Sequence, residues 1–290
     1  MEVVKNFIIL IRPKQWTKNF VVLAGLVFSI SFFDLSLVSR TLIAFLVFCL
    51  ASGVVYIFND LQDIARDRCH PYKKNRPLAA GKITAGQARI GAILLLLITI
   101  SISFYLSIHF MLILICFLIL NILYTIGLKN IVIVDVLIVA ASFVLRAIAG
   151  GIVISVEISS WLLVVTTLLA LFLGLSKRRH ELINLSNKAL THREVLNKYS
   201  PELLDQYLNI VAATTIMAYS LYTFTSHTGN KNNCLMLTIP FVIYGVFRYL
   251  YLVYKKNLGG TPELILLTDK PLIIVILLWS ITIGIILLTN

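Results

Sequence analysis

The chain has 290 residues, is 59% hydrophobic and only 13% charged, with a mean hydropathy of +0.93. A soluble domain of this length needs a polar surface that this composition does not supply, which excludes the soluble globular classes and predicts a polytopic helical membrane protein. The formal net charge of +12 would suggest nucleic acid in a soluble protein; here it reads first as membrane topology, and no nucleic-acid partner is expected.

The N-terminal MEVVKNFIILIRPKQW has a short apolar run, but Arg12 and Lys14 interrupt it and no small-residue cleavage site follows. It is therefore not read as a signal peptide. Apolar segments long enough to cross a hydrocarbon layer of about 30 Å then recur. Nine are predicted, at 19–34, 41–58, 88–107, 110–127, 131–153, 160–176, 207–226, 235–254 and 271–288. The first is short and the fourth and sixth are compact, which tilt or partial insertion would accommodate.

The loops alternate in charge. On one side lie Lys5, Arg12, Lys14 and Lys18; then Arg66, Arg68, Lys73, Lys74, Arg76, Lys82 and Arg89; then Lys129; then Lys177, Arg178, Arg179, Lys188, Arg193 and Lys198; and last Lys255, Lys256 and Lys270. These are 21 of the 25 basic residues, and the opposite loops (FDLSLVSR, SIHF, SVEISS, SHTGNKNN) hold only Arg40 and Lys231. Such asymmetry predicts a cytoplasmic N-terminus and, with nine spans, an outside C-terminus in the cell membrane. The working polar residues then face the cytoplasm. No linker, low-complexity tract or short repeat breaks the chain, so residues 1–290 read as one domain.

The second span runs into NDLQDIARDRCHPYKKNRP, which holds three of the 13 acidic residues within eight positions. Asn59, Asp63 and Asp67 are spaced i, i+4, i+8 and share a helix face about 80° wide, with Asp60 at its shoulder. Stacked oxygen ligands suit a hard cation such as Mg²⁺, which binds a few carboxylates plus substrate phosphates. Pro71 and Pro77 stiffen the loop beyond, where Lys73, Lys74 and Arg76 would hold phosphate oxygens that the metal leaves. Topology alone explains the lysines, but acids do not help orientation, so it leaves Asn59, Asp63 and Asp67 unexplained.

NDxxDxxxD after a second span, followed by a basic loop, resembles the UbiA-type intramembrane prenyltransferase superfamily. The resemblance implies an all-α fold of about nine transmembrane helices around a central cavity, with a Mg²⁺-bound diphosphate leaving group at its cytoplasmic end. The family's second aspartate-rich motif is missing. LSKRRHELI stands in its place, with Lys177, Arg178 and Arg179 before the lone Glu181. RPKQWTKN, DRCHPYKKNRPLAAG, VDVLIVAASFVLRAIAGG and GGTPELILLTDKPL together resemble the decaprenyl-phosphate phosphoribosyltransferase branch. That branch implies transfer of phosphoribose from phosphoribosyl diphosphate (PRPP) to a polyprenyl phosphate. PRPP carries more phosphate than a prenyl diphosphate, so more cations are expected. Lys14, Lys18, Lys73, Lys74, Arg76, Lys129, Lys177 and Arg178 are candidates to ring one cytoplasmic mouth, with Asp60 and Glu181 beside them.

Arg146 lies inside the fifth span, where a lipid-facing arginine costs at least about 2.5 kcal/mol. Asp135 stands eleven residues earlier, about three turns away and on a similar side. Both are expected to line the cavity, with Asp63, Asp67 and Arg146 as catalytic candidates; a structural ion pair between Arg146 and an acid is the alternative. His70, His109, His180, His192 and His227 show no ligand spacing, and Cys49, Cys69, Cys116 and Cys234 no CxxC, so neither zinc nor a disulfide framework is expected. Asp269 reads as an N-cap before Pro271, Tyr124 as an interfacial anchor or substrate contact, and Gly150 and Gly151 as sites of close helix packing. Two rival functions remain: a prenyltransferase acting on an aromatic or haem-like acceptor, which needs the absent acidic cluster, and an anionic-lipid transporter, which needs polar access from the charge-poor outer side. Membrane lipids are partners in every case, and the lipid's chain length and an oligomer are left open.

Overall fold

The computed structural model describes the chain except residues 1, 30–32, 70–72, 185–193, 226–233 and 290. His70, Pro71, Lys188, His192, Arg193, His227 and Lys231 fall outside the described residues. All regular structure among the described residues is helical. Its main elements are α1 (Glu2–Leu10), a 3-10 helix Pro13–Leu23, α2 (Ala24–Phe28), α3 (Leu35–Gln62), α4 (Ile64–Cys69), α5 (Ala85–Leu106), α6 (Ile108–Ile126), α7 (Val134–Val153), α8 (Ser160–Asn184), α9 (Pro201–Thr225), α10 (Ile239–Lys255), α11 (Pro262–Thr268) and α12 (Lys270–Thr289), with short 3-10 turns at Lys73–Asn75, Leu128–Asn130, Glu194–Lys198 and Cys234–Thr238.

Local chemistry sets the ends. The Asp34 carboxylate accepts the Ser36 and Leu37 N–H groups at 2.8 and 3.3 Å and starts α3. Thr84 and Gln87 form a reciprocal capping box at the start of α5. Asp269 accepts the Leu272 N–H at 3.0 Å, so the expected cap of α12 forms; its carboxylate also takes Arg248 at 2.9 Å. That hydrogen-bonded pairing holds the Asp269 carboxyl below its usual range.

Six of the nine expected spans are described helices long and apolar enough to cross a membrane: Leu35–Gln62, Ala85–Leu106, Ile108–Ile126, Val134–Val153, Ser160–Asn184 and Cys234–Lys255. The chain is a multi-pass membrane protein. The expected span 19–34 is not one α-helix. Its first residues belong to the 3-10 helix that Pro13 opens, and α2 is only five residues long. Span 207–226 lies in α9, where Asp205, Gln206, Asn209, Thr214 and Thr215 dilute the apolar character. Span 271–288 lies in α12, a further apolar helix.

The chain divides into two compact units. The first comprises Met1–Leu128 with Leu145–Glu157. Phe48 centres one of its cores, with edge contacts to Phe110 and Phe117 at 5.8 and 5.3 Å between ring centroids. Leu10, Ile57, Leu78 and Ile83 form another near the motif end of α3. Gly150 permits a close backbone approach: a Cβ there would meet the Val22 carbonyl oxygen at 2.0 Å. A Cβ on Gly25 would meet Gly151 Cα at 3.2 Å, so both glycines serve the packing expected of them. The second unit comprises Lys129–Val144 with Ile158–Asn290, and its core gathers Phe172, Leu204, Leu208, Tyr249 and Leu252. α5 turns Ile93, Leu97, Ile98 and Phe104 outward, as a lipid-facing helix does.

Candidate active site

The acidic motif sits where α3 gives way to α4 in the first unit. Asp63 leaves helical geometry at φ −98°, ψ 10°. The hydrogen-bond ladder nonetheless continues, Asp63 N–H to the Asn59 carbonyl at 3.0 Å and Asp67 N–H to the Asp63 carbonyl at 2.8 Å. Asn59, Asp63 and Asp67 therefore keep their one-turn spacing although α3 itself stops at Gln62. Asn59 and Asp63 are half-buried and Asp67 is buried.

Asp60, at the shoulder of that face, is held by cations of the chain itself. It is 2% exposed, and one of its oxygens accepts from both Arg12 and Arg76, the latter at 3.0 Å. The same Arg76 nitrogen donates to Asp67 at 2.6 Å. A four-membered network, Arg12–Asp60–Arg76–Asp67, thus backs the motif, because a carboxylate this buried requires cationic partners. Arg12 was absent from the sequence candidates. It stands at φ 53°, a left-handed conformation rare for a non-glycine residue, with its guanidinium 4.9 Å from the Tyr56 ring centre. Burial lowers its pKa, which the Asp60 charge opposes. Its signal in the sequence is the arginine that interrupts an apolar run and opens RPKQWTKN.

The donor set suits Mg²⁺ in part. Asn59, Asp63 and Asp67 offer only oxygen, and Mg²⁺ needs one or two carboxylates when substrate phosphates complete its shell. Among the described residues no three His, Cys, Asp or Glu side chains gather into a full metal cage. The fit is therefore that of a half-site. Around it, Lys14 and Lys74 are exposed while Lys18 and Lys73 are half-buried.

Arg146 is buried and 6% exposed, as its place in the span demands. Its partner is not Asp135. Arg146 Nε donates to Asn19 Oδ1 at 2.7 Å, and its guanidinium lies 4.7 Å from the Phe117 ring centre. Ser52 donates to the same Asn19 oxygen at 3.3 Å, and Asn19 Nδ2 donates to Cys49 Sγ at 3.3 Å. Asn19, fully buried, is likewise outside the sequence candidates; its signal is an amide where RPKQWTK gives way to the apolar FVVLAGLVF.

In the second unit the basic run of α8 is closely paired with acids. Asp135 is fully buried and gives one oxygen to Arg178 Nε at 2.6 Å and the other to the Tyr199 hydroxyl at 2.8 Å. Arg178 Nη1 also reaches Glu181 at 2.7 Å. Arg179 pairs with Asp205 and lies 4.3 Å from the Tyr254 ring centre, and Tyr254 donates to Asp205 at 3.1 Å. Glu181 is therefore not a lone acid beside free cations, since the fold brings Asp135 and Asp205 to the run. Lys129, Lys177 and Tyr124 are half-buried. Gly259 and Gly260 lie against α8: a Cβ on Gly260 would come within 2.4 Å of the His180 ring.

These features define a multi-pass helical membrane enzyme with an acidic half-site and buried arginines. The chain belongs to the UbiA prenyltransferase family, whose model matches residues 19–266. A decaprenyl-phosphate phosphoribosyltransferase of Mycolicibacterium smegmatis is 32% identical over 294 residues, covering 97% of this chain and 92% of its own. The Corynebacterium glutamicum protein of the same name is 32% identical over 276 residues, covering 93% of this chain and 82% of its own. The chain falls in the branch of the family that these relatives define, and it is a transferase. In fold it is similar to a UbiA homologue from Archaeoglobus fulgidus solved with GPP and Mg²⁺, at a TM-score of 0.73 and 19% identity over 97% of this chain and 99% of the other.

Proposed function

We propose that the protein transfers the 5-phosphoribosyl group of PRPP to a polyprenyl phosphate, giving a polyprenylphosphoryl 5-phosphoribose and diphosphate. The observation that carries this is the 32% identity, over nearly the whole chain, to relatives bearing that activity in their name. The charge inventory is consistent with it: where a prenyl-diphosphate enzyme would carry a second acidic motif, this chain carries Lys177, Arg178 and Arg179.

Asn59, Asp63 and Asp67 would hold Mg²⁺, which when bound neutralises charge on a departing diphosphate. Arg76, fixed by Asp60 and Asp67, is the first unit's best-oriented cation for phosphate oxygens, with Lys14, Lys18, Lys73 and Lys74 around it. Lys129, Lys177 and Arg178 are the second unit's substrate cations. The lipid phosphate attacks C1 of the ribose as the C1–O bond to diphosphate breaks, and inversion gives a β-linked product. A phosphate monoester is already anionic, so the chain need supply no strong general base. Its task is to align two anions against their repulsion, and Arg146 is the candidate to hold the acceptor's phosphate. The enzyme works in the cell membrane with its site toward the cytoplasm, as the loop charges imply.

Purified protein with Mg²⁺ and a polyprenyl phosphate is expected to incorporate label from PRPP into lipid. It should leave geranyl diphosphate unused with an aromatic acceptor. Label transfer from the prenyl diphosphate alone would return the chain to the prenyltransferase reading.

A further inference from the structure

Tyr199 follows the 3-10 helix Glu194–Lys198 and joins three parts of the second unit. Its phenol donates to Asp135 at 2.8 Å and accepts the Ile133 N–H at 2.7 Å. Asp135 in turn holds Arg178 at 2.6 Å. Ile133 stands at φ 69°, a left-handed conformation that a β-branched residue keeps only when its surroundings impose it. The entry to α7, the loop before α9 and the basic run of α8 therefore meet in one chain of hydrogen bonds. Burial pushes the Tyr199 phenol up to about 12, so it stays protonated and remains a donor to Asp135.

A guanidinium recognises phosphate through a planar fork, so its usefulness depends on its aim. Arg178 is aimed from one side by Asp135 and from the other by Glu181. We propose that Tyr199 is a positioning residue of the transferase: acting through Asp135, it fixes the Arg178 guanidinium that engages a phosphate of the donor substrate. This rests on Arg178 being a donor-phosphate cation. A purely structural tie between loop and helix would stabilise the fold without touching donor recognition.

The test uses the full-length protein in detergent, as wild type, Tyr199→Phe, Arg178→Lys and the double variant, reading kcat, KM for each substrate and Tm. Tyr199→Phe is expected to raise the KM for PRPP about tenfold, the scale of losing a hydrogen bond to a charged group. The KM for the polyprenyl phosphate should not move. Added to Arg178→Lys, Tyr199→Phe should raise the PRPP KM no further, since both act on one group. If Tyr199→Phe lowers only Tm and the active fraction, or if the two effects multiply, the proposal is wrong. Should Tyr199→Phe not fold, Asp135→Asn, which keeps the shape but loses the charge, must show the same selective rise. If the wild type uses a prenyl diphosphate instead, the proposed function falls. The same variants are then read on that diphosphate's KM, where no change would overturn the positioning role as well.

Discussion

Asp60 and Asp63 are three positions apart and do different things. Asp60 is buried between Arg12 and Arg76, while half-buried Asp63 marks the joint between α3 and α4. Asp60→Asn keeps an acceptor but removes the charge between two half-exposed guanidinium groups, a loss of about 1–3 kcal/mol. It is expected to lower Tm while leaving the Mg²⁺ concentration for half-maximal activity unchanged. Asp63→Ala is expected to abolish turnover with a near-normal melt. Thermal melts and Mg²⁺ titrations of activity on the two variants check this; a raised Mg²⁺ requirement in Asp60→Asn would add Asp60 to the proposed metal ligands. The one-turn spacing of Asn59, Asp63 and Asp67 was legible in the chain because a helix repeats every 3.6 residues. The Asp60 partners were not, because Arg12 lies 48 residues away and no local period points to it.

Among the elements, the 3-10 helix Pro13–Leu23 depends on Gly150, whose missing side chain leaves room for the Val22 carbonyl. Gly150→Ala would force backbone apart, since the new Cβ would meet that oxygen at 2.0 Å. It is expected to lower Tm strongly and reduce the yield of folded protein. Gly174 in α8 is the control: its Cβ would touch Val136 only at 3.8 Å, ordinary contact distance. Gly174→Ala should be neutral or stabilising by up to about 1 kcal/mol, because alanine is the better helix former. Melting curves of the two variants settle the contrast, and equal effects would refute the close approach at Gly150.

Most of the positive charge, 21 of 25 basic residues, lies on one set of loops, and the proposed orientation rests on that asymmetry. Arg40, in the first turns of α3, and Lys82, just before α5, lie on opposite sides of the proposed membrane. In intact spheroplasts an impermeant thiol reagent is expected to label Arg40→Cys and to spare Lys82→Cys, with the order reversed in inverted vesicles. Labelling of Lys82→Cys from outside would invert the topology and move the candidate site to the outer face.

Composition and short-range periodicity determined the membrane class, the six long apolar helices, the cap at Asp269, and the acidic face beyond the second span. These follow from hydropathy summed over a window and from neighbours within a turn or two. Tertiary structure decided the partners: Arg146 with Asn19, 127 residues away, and Arg178 with Asp135, 43 residues away. It also recruited Arg12 and Tyr199, and broke the first expected span into a 3-10 helix and a short α-helix. A buried charge requires some partner, and sequence states that requirement, but which polar group meets it depends on which helices come together.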